Sequence, residues 1–460
     1  MRRSDHRPTP MARVAVVAPR SRRREALVEL AASGHMEFEE LDDHPSDEVE
    51  QLRREVPGEV EPLVSVDPPD LDQLRERGDW ARVAGEVELL QRAEDAIEHG
   101  PAVVFVGWVP EPQVPELTQR LADHGVSLTT LPRPRSVVPP TRMAGSALHG
   151  SLRPLVRTYA VVPYEDVDPT IFAGATYVLM FGMMFGDVGH GFVLAVLGGL
   201  LARSRHPRLA TVRRLWPFPV AAGLVAMVFG LLYGEAFGPT GLVPTLWLAP
   251  LDEPVRLLIV AVGAGAVLIG ASYLIGTVNR LREGGFGLAL FAPTGLAGFT
   301  LFLGAAVAAA GLAWDTAAVA WCGALLAGVG LLLSFVGLLS AAGTGGAAIG
   351  QAVIELFDLV VRVFANVVSF GRLAAFGLTH AAIGAVVWQG TTALWRPGPA
   401  AIAAVALFIV GHSIAFALEA LVIGVQALRL EFYELFSRIF TGEGRLFHPW
   451  HPPVESKEAT

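Results

Sequence analysis

The sequence predicts an α-helical polytopic membrane domain of about eight transmembrane helices, the last two long and tilted, preceded by a small α/β cytoplasmic domain. Hydrophobic residues make up 52% of the 460 residues and charged residues only 17%, as is typical of polytopic membrane proteins. Charged and apolar residues are mixed up to Asp168. From Pro169 onward the chain has apolar runs of about 20 residues, each long enough to cross a bilayer core about 30 Å thick.

The cytoplasmic domain is expected over residues 11–135. Its strands are predicted at "ARVAVVAP", "MEFEELD", "AVVFVGWVP" and "VSLTTLP", and its helices at "SRRREALVELAAS", "DWARVAGEVELLQRAEDAIEHG" and "VPELTQRLADHG". The first strand, helix and strand would form a βαβ-like unit, with Gly34 ending the helix. Residues 43–80 are acidic and proline-rich and are expected to be a loop. Residues 1–10 are predicted to be a disordered tail, and either Met1 or Met11 could be the true start.

A proline-rich linker, residues 136–168, is expected to lead to the transmembrane domain of 169–440. The predicted spans are 169–187, 189–204, 214–235, 255–280, 285–312, 316–341, 350–391 and 398–439. The segment "RSRHPRLATVRR", which joins spans two and three, holds five arginines, whereas the segment "GEAFGPTGLVPTLWLAPLDEPVR" after span three holds three acids and one arginine. By the positive-inside rule both chain ends are cytoplasmic, including a C-terminal tail of residues 441–460.

The last two spans are too long for a simple crossing. Forty helical residues extend about 60 Å, roughly twice the bilayer core, so these spans must tilt steeply, break or project into the cytoplasm. One face of span seven carries Asp358, Arg362, Ser369, Arg372, Phe376 and His380. On span eight, Glu419 and Gln426 share a face and Arg429 follows. If the two helices pack together, the carboxylates of Asp358 and Glu419 and the imidazole of His380 would line aqueous paths above and below Arg372, whereas Arg362 would anchor the helix near its cytoplasmic end.

Arg372 lies at the centre of its span, where an arginine costs about 2.5–3.5 kcal/mol on insertion scales and usually faces a partner or a water path. A guanidinium stays charged at physiological pH, so it cannot relay protons. It can block a leak between the paths and can force a passing carboxylic acid to release its proton. No carboxylate carrier is evident in this chain, which indicates a second protein. The alternative is a static ion-pair network with Glu419 and Arg429, and for His380 or Gln426 alone a simple interhelical hydrogen bond is as good an explanation.

Other types of site are not predicted. Asp187 and His190, in "MFGMMFGDVGHG", have no third ligand nearby in the sequence, and catalytic zinc normally takes three protein ligands, so no metal or other cofactor is expected. Without a G-x-x-x-x-G-K-[ST] motif the chain is expected not to bind ATP directly, and without a basic face it is expected not to bind nucleic acid. The single cysteine, Cys322, excludes an internal disulfide.

Five segments carry a family resemblance: "VFVGWVPE", "PPT", "YEDVDPT" into "FGMMFGDVGHG", "NVVSFGRLAAFGLTHAAI", and "LEALVIGVQALRLEFYELFSRIFTGEGRLFHP". Together they resemble the membrane subunit of V-type and archaeal-type rotary ATPases, called subunit a or subunit I. In that family the subunit is a stator beside a rotating ring of proteolipid subunits, each with one buried carboxylate. The resemblance implies a prokaryotic plasma-membrane protein whose partners are the lipid bilayer, the proteolipid ring, peripheral stalk subunits of the E/G type and a central-stalk-associated subunit of the d/C type.

The resemblance also implies roles for the polar residues of the last two spans. Arg372 is similar to the essential arginine that faces the ring carboxylate, with Ser369 in the same motif, and Arg429 is similar to a supporting arginine. The half-channel residues would be Asp358 on the cytoplasmic side, His380 and Glu419 on the opposite side, and Gln426 where some relatives have histidine.

One departure from the family concerns the soluble domain. The family's soluble domain usually has two lobes joined by a long coiled coil, whereas only about 165 residues precede the membrane here. The alternative functions are a stand-alone secondary transporter with its substrate at Arg372, and a structural or assembly subunit. The sequence does not distinguish H⁺ from Na⁺, synthesis from pumping, or the number of peripheral stalks.

Overall fold

The computed structural model of the chain describes residues 8–39, 46–58, 60–134, 137–143, 147–440, 442 and 444–455. Most of the predicted N-terminal tail and the last three residues of "MEFEELD" lie outside these residues. The chain divides into two compact units. We call them the sheet unit, residues 8–143 with 444–455, and the helical unit, residues 147–442.

The sheet unit contains a five-stranded antiparallel sheet. Its strands are β1 (Met11–Pro19), β2 (Glu37–Phe38), β3 (Ile97–His99), β4 (Ala102–Pro110) and β5 (Ser127–Leu131). The order is β2-β4-β1-β5, with β3 also paired to β4. Because β1 and β2 both pair antiparallel with β4, they run in the same direction on either side of it. The predicted βαβ-like unit is therefore split by a later strand, whose apolar residues Val103 and Phe105 are fully buried.

Five helices accompany this sheet: α1 (Arg23–Ser33), α2 (Asp47–Glu55), α3 (Leu71–Arg77), α4 (Trp80–Glu94) and α5 (Val114–Asp123). Helix α1 ends at Gly34, which has a φ of 60°, as predicted from the sequence. The loop prediction for residues 43–80 is wrong where α2 and α3 form. Ser46 and Asp70 begin these helices by accepting hydrogen bonds from backbone N–H groups of the first turn, a local signal that the abundant prolines obscured.

The last described residues of the chain belong to the sheet unit. The Trp450 backbone N–H donates to the Met36 carbonyl at 2.9 Å, and the His448 N–H donates to Glu37 Oε2 at 2.7 Å. The Trp450 ring packs edge-on against Phe38 and is 9% exposed. The segment predicted as a tail thus contributes core and backbone hydrogen bonds to this unit.

The helical unit contains α6 (Ala147–Arg157), α7 (Thr170–Met184), α8 (Val188–Arg203), α9 (Ala210–Arg213), α10 (Pro217–Tyr233), α11 (Pro254–Phe291), α12 (Leu296–Ala313), α13 (Ala317–Ala342), α14 (Gly346–Ser369), α15 (Gly371–Leu394), α16 (Pro399–Leu430) and α17 (Ser437–Ile439). Helix α6 occupies part of the predicted linker.

Several of these helices are apolar enough to cross a membrane. Within the described residues, four segments have the required length and composition: α11, α12, α13 and the continuous stretch from Pro399 to Ile439. Helices α7, α8 and α10 are apolar but shorter. The chain therefore has the character of a membrane protein, but the predicted count of eight spans is not confirmed.

Two of the predicted spans contain interruptions. Predicted span seven is two helices, because Phe370 separates α14 from α15. Predicted span eight continues from α16 into a π-helix, Glu431–Phe436, and then into α17. Within α11, Gly285 has non-helical backbone angles and marks a kink that divides this element, at the residue where span five is predicted to begin.

Candidate functional site

The break between α14 and α15 is fixed by packing. Phe370 is fully buried, and its ring lies directly over Gly265 of α11. A Cβ at Gly265 would lie about 2.1 Å from this ring, so the close approach requires glycine. The break places Ser369 at the end of one helix and Arg372 in the first turn of the next.

Arg372 is held by groups of its own chain. Its Nη2 lies 2.5 Å from Glu434 Oε1, and its Nε donates to the Ser369 carbonyl at 3.0 Å. The Ser369 hydroxyl hydrogen-bonds both Glu434 and Arg372. An acid of the same chain therefore lies beside Arg372, in the π-helix, and the sequence did not predict this contact.

One nitrogen of the Arg372 guanidinium makes none of these contacts. Its Nη1 is buried and has no hydrogen-bond partner among the described residues. The Arg372 side chain is 23% exposed, whereas that of Glu434 is 6% exposed. Since a buried unmade hydrogen bond costs about 1–3 kcal/mol, Nη1 is a donor available to an additional acceptor.

A second arginine supports the π-helix. Arg438 Nη1 donates to the Glu434 carbonyl at 2.6 Å, and its guanidinium lies 5.0 Å from the centroid of the Tyr273 ring. With its amide oxygen facing Arg438, Asn366 accepts from both terminal nitrogens at 2.8 and 2.9 Å. Asn366, Glu434 and Arg438 were not among the predicted site residues. For Glu434 and Arg438 the sequence signal was the run of charges after Arg429, which lies in and just after the π-helix.

His380 and Glu419, the two residues predicted for the opposite half-channel, lie together. His380 Nδ1 is 2.5 Å from Glu419 Oε2, and these side chains are 4% and 11% exposed. His380 also lies beside His190 and Phe185, with ring centroids 5.3 and 5.0 Å away. The pairing joins α15 to α16, as the sequence predicts for two helices that pack with their polar faces together.

Additional buried polar groups surround this pair. Asp187 accepts from the backbone N–H groups of His190 and Gly238, at 2.8 and 2.9 Å. His412 Nδ1 lies 3.2 Å from His190 Nε2. His412 was not predicted, although it precedes Glu419 by the same seven residues that separate Glu419 from Gln426, which is a repeat along one helical face.

The remaining predicted residues lie apart from these two clusters. Asp358 forms an exposed ion pair with Arg362 one turn along α14. Arg429 is exposed on α16 and forms no ion pair with any residue that the structure describes. Gln426 is partly buried, and its Oε1 has no hydrogen-bond partner in the described part of the chain.

Comparisons with known proteins agree on one family. A model of the V-type ATPase 116 kDa subunit family matches residues 96–247. The chain is 25% identical to "A-type ATP synthase subunit I" of Pyrococcus horikoshii over 375 residues, covering 77% of this chain and 54% of that protein. It is 32% identical over 238 residues to "V-type ATP synthase subunit I 2" of Treponema pallidum, covering 49% of this chain and 48% of that protein.

A similarity to a human protein covers a shorter region. "V-type proton ATPase 116 kDa subunit a 2" is 30% identical over 144 residues, which is 28% of this chain and 17% of the human protein. The chain spans about half the length of the first of these relatives. The matching family model and the similarity to archaeal, bacterial and human subunits support a place for this chain in the V-type ATPase 116 kDa subunit family.

Proposed function

We propose that the chain is the ion-translocating stator subunit of a prokaryotic V/A-type ATPase or synthase. In this role it provides two half-channels and the arginine that exchange H⁺ or Na⁺ with carboxylates of a rotating proteolipid ring. ATP is hydrolysed or synthesised elsewhere in the complex. The names of the relatives and the apolar helices support a membrane subunit of such an ATPase.

The observation that carries the proposal is the half-satisfied guanidinium of Arg372. Glu434 and Ser369 hold one side of it, while Nη1 has no partner among the described residues. A carboxylate on a passing ring subunit would complete its hydrogen bonds and would be stabilised in the ionised form by the fixed positive charge. When the ring acid moves on and becomes protonated, Glu434 remains as the counter-ion, so Arg372 is never left as an isolated buried charge.

The two half-channels are assigned to groups on either side of Arg372. His380 and Glu419 form a buried hydrogen-bonded pair suited to pass protons on the far side, because imidazole and carboxylate both exchange protons readily. Asp358, exposed beside Arg362, is assigned to the cytoplasmic side. Arg429 and Gln426 complete the face of α16 toward the ring.

The partners follow from the same proposal. The helical unit would contact the lipid bilayer and the proteolipid ring, and the sheet unit would bind peripheral stalk subunits of the E/G type. A central-stalk-associated subunit of the d/C type would complete the contacts, with both chain ends in the cytoplasm.

The direct test replaces Arg372 by glutamine in the assembled complex. We expect Arg372→Gln to abolish ATP-driven ion uptake into membrane vesicles while the complex still assembles. The matched control is Arg256→Gln, which removes an exposed arginine paired with Glu253 and should leave uptake unchanged. Normal uptake by assembled Arg372→Gln complexes would refute the stator role, and transport by the purified chain alone would favour the transporter alternative.

A further inference from the structure

Three buried side chains of the types that can bind metal ions lie close together in the helical unit. Asp187 precedes α8, His190 lies in its first turn, and His380 lies in α15. Their ligand atoms all lie within 4.8 Å of one another, and all three residues are buried. The sequence did not indicate this set, because His380 is 190 residues away from His190 along the chain.

Each of the three side chains is oriented by a partner that leaves one ligand atom available. Glu419 binds Nδ1 of His380 and leaves Nε2. The backbone N–H groups of His190 and Gly238 fix both oxygens of Asp187, and each oxygen keeps a lone pair. Histidine ligands of metals almost always donate their other ring nitrogen to a carboxylate or similar acceptor, and the His380–Glu419 pair has this arrangement.

The cluster also contains donors and acceptors that its protein contacts do not satisfy. His190 uses Nε2 toward His412, while its Nδ1 is buried and has no hydrogen-bond partner among the described residues. Glu419 Oε1 is also buried and has no hydrogen-bond partner among the described residues. Burying these atoms without hydrogen-bond partners costs free energy. A bound cation would accept the lone pair of His190 Nδ1 and would balance the negative charges of Asp187 and Glu419.

We propose that Asp187, His190 and His380 bind a divalent transition-metal ion of the Zn²⁺ class. Two nitrogens and one carboxylate oxygen are ligands that zinc accepts at about 2.0–2.2 Å, with the fourth position left for water. Ligand atoms on one tetrahedral zinc lie about 3.3 Å apart, so closing the site from the present separations needs side-chain shifts of about 1 Å. Glu419 is a positioning residue for this site, since it acts through His380.

Metal binding has a consequence that rests on the proposed function. A metal on His380 would prevent this imidazole from exchanging a proton with Glu419, and the far half-channel would be blocked. The ion would therefore act as an inhibitor that binds within the channel and not as a cofactor of transport.

The test measures binding of Co²⁺, a spectroscopic substitute for Zn²⁺, to the purified full chain in lipid nanodiscs. We expect one Co²⁺ per chain with visible absorption typical of four-coordinate nitrogen and oxygen ligation, displaced by one equivalent of Zn²⁺. His190→Gln should weaken binding at least tenfold, and Glu419→Gln should weaken it about 10–100-fold, as expected for a group that orients a ligand. His206→Ala, which removes an exposed histidine outside the cluster, is the control and should bind as the unchanged chain does.

Two outcomes would overturn the metal site: absence of saturable Co²⁺ binding by the unchanged chain, or binding that His190→Gln and Glu419→Gln leave unaltered. If one variant fails to fold, the other still decides the question. Arg372→Gln separates this inference from the proposed function, because it should bind Co²⁺ normally while ion uptake is lost. Metal binding without loss of uptake would refute only the stator role, and loss of uptake without metal binding would refute only the metal site.

Discussion

Arg372 and Glu434 form an ion pair between the first turn of α15 and the π-helix that follows α16, with Nη2 and Oε1 2.5 Å apart. The pair joins the start of α15, two residues after Phe370, to the π-helix that continues α16. The carboxylate is nearly inaccessible and the guanidinium is partly accessible. The acid therefore acts as the fixed partner, and the arginine is the member able to meet a group from outside the chain.

Removing the Glu434 charge should destabilise the helical unit. Glu434→Gln leaves a partly buried cation without its counter-ion, and because Arg372 is partly exposed we expect the free energy of unfolding to fall by about 2–3 kcal/mol, less than for a fully buried pair. Thermal unfolding in detergent measures this loss. The control is Glu253→Gln, since exposed ion pairs such as Glu253–Arg256 contribute about 0–1 kcal/mol. An equal effect of the two substitutions would show that the Arg372–Glu434 pair carries no special stability.

His380 and Glu419 should be energetically coupled. The two side chains are buried against each other, so the loss of either one removes the same contact. In a double-mutant cycle with His380→Gln and Glu419→Gln, we expect a coupling free energy of about 1–3 kcal/mol for unfolding in the presence of a chelator. The same cycle on Arg256 and Glu253 should give a coupling near zero. Additive effects at His380 and Glu419 would mean that the pair does not act as a unit.

Asp166 should make stability depend on pH. It lies in the segment before α7, where burial, together with the neighbouring Glu283 carboxyl, raises its pKa to about 8. The folded protein therefore holds a proton that the unfolded chain releases near pH 4, so this contribution to stability is complete below about pH 4 and is lost as the pH rises through about 8. Asp166→Asn should raise the Tm at pH 8 and flatten the decline in Tm between pH 5 and pH 8. A decline as steep as that of the unchanged chain would contradict this assignment.

Trp450 should stabilise the sheet unit although it lies ten residues from the end of the chain. Its ring packs on Phe38, and its indole N–H donates to Glu88 at 3.1 Å. Replacing a buried tryptophan by alanine costs about 3–5 kcal/mol, so Trp450→Ala should increase hydrogen exchange in β1 and β4. Trp395→Ala, at a side chain that is 63% exposed, is the control. Unchanged exchange in both strands would mean that the C-terminal segment is not part of this core.

Long apolar runs predicted the helical unit well where local sequence decides the structure. Helices α7, α8, α10 and α13 begin and end within about three residues of their predicted spans. The break beside Arg372 was one of three possibilities that the excess length of span seven allowed. Length alone could not locate it, because the position depends on Phe370 packing over Gly265 from another helix.

Contacts between distant segments account for what the sequence did not predict. Strand order in the sheet unit depends on β4 pairing between β1 and β2, and no local pattern records this. Glu434 lies in a π-helix, which places its side chain next to Arg372. Projecting the sequence on an α-helix does not give Glu434 this position. His380 and Glu419 were identified individually, whereas His412 joins this cluster through its contact with His190, which lies in a different helix.

The most direct test of the central claim compares ATP-driven ion uptake by Arg372→Gln, Glu434→Gln and the double variant in membrane vesicles that contain equal amounts of assembled complex. If Arg372 acts on a carboxylate of a moving partner, both proteins that lack Arg372 should show no uptake, and Glu434→Gln should retain part of it. If the double variant recovers the uptake lost by Arg372→Gln alone, then the arginine serves only to neutralise Glu434, and the account is wrong.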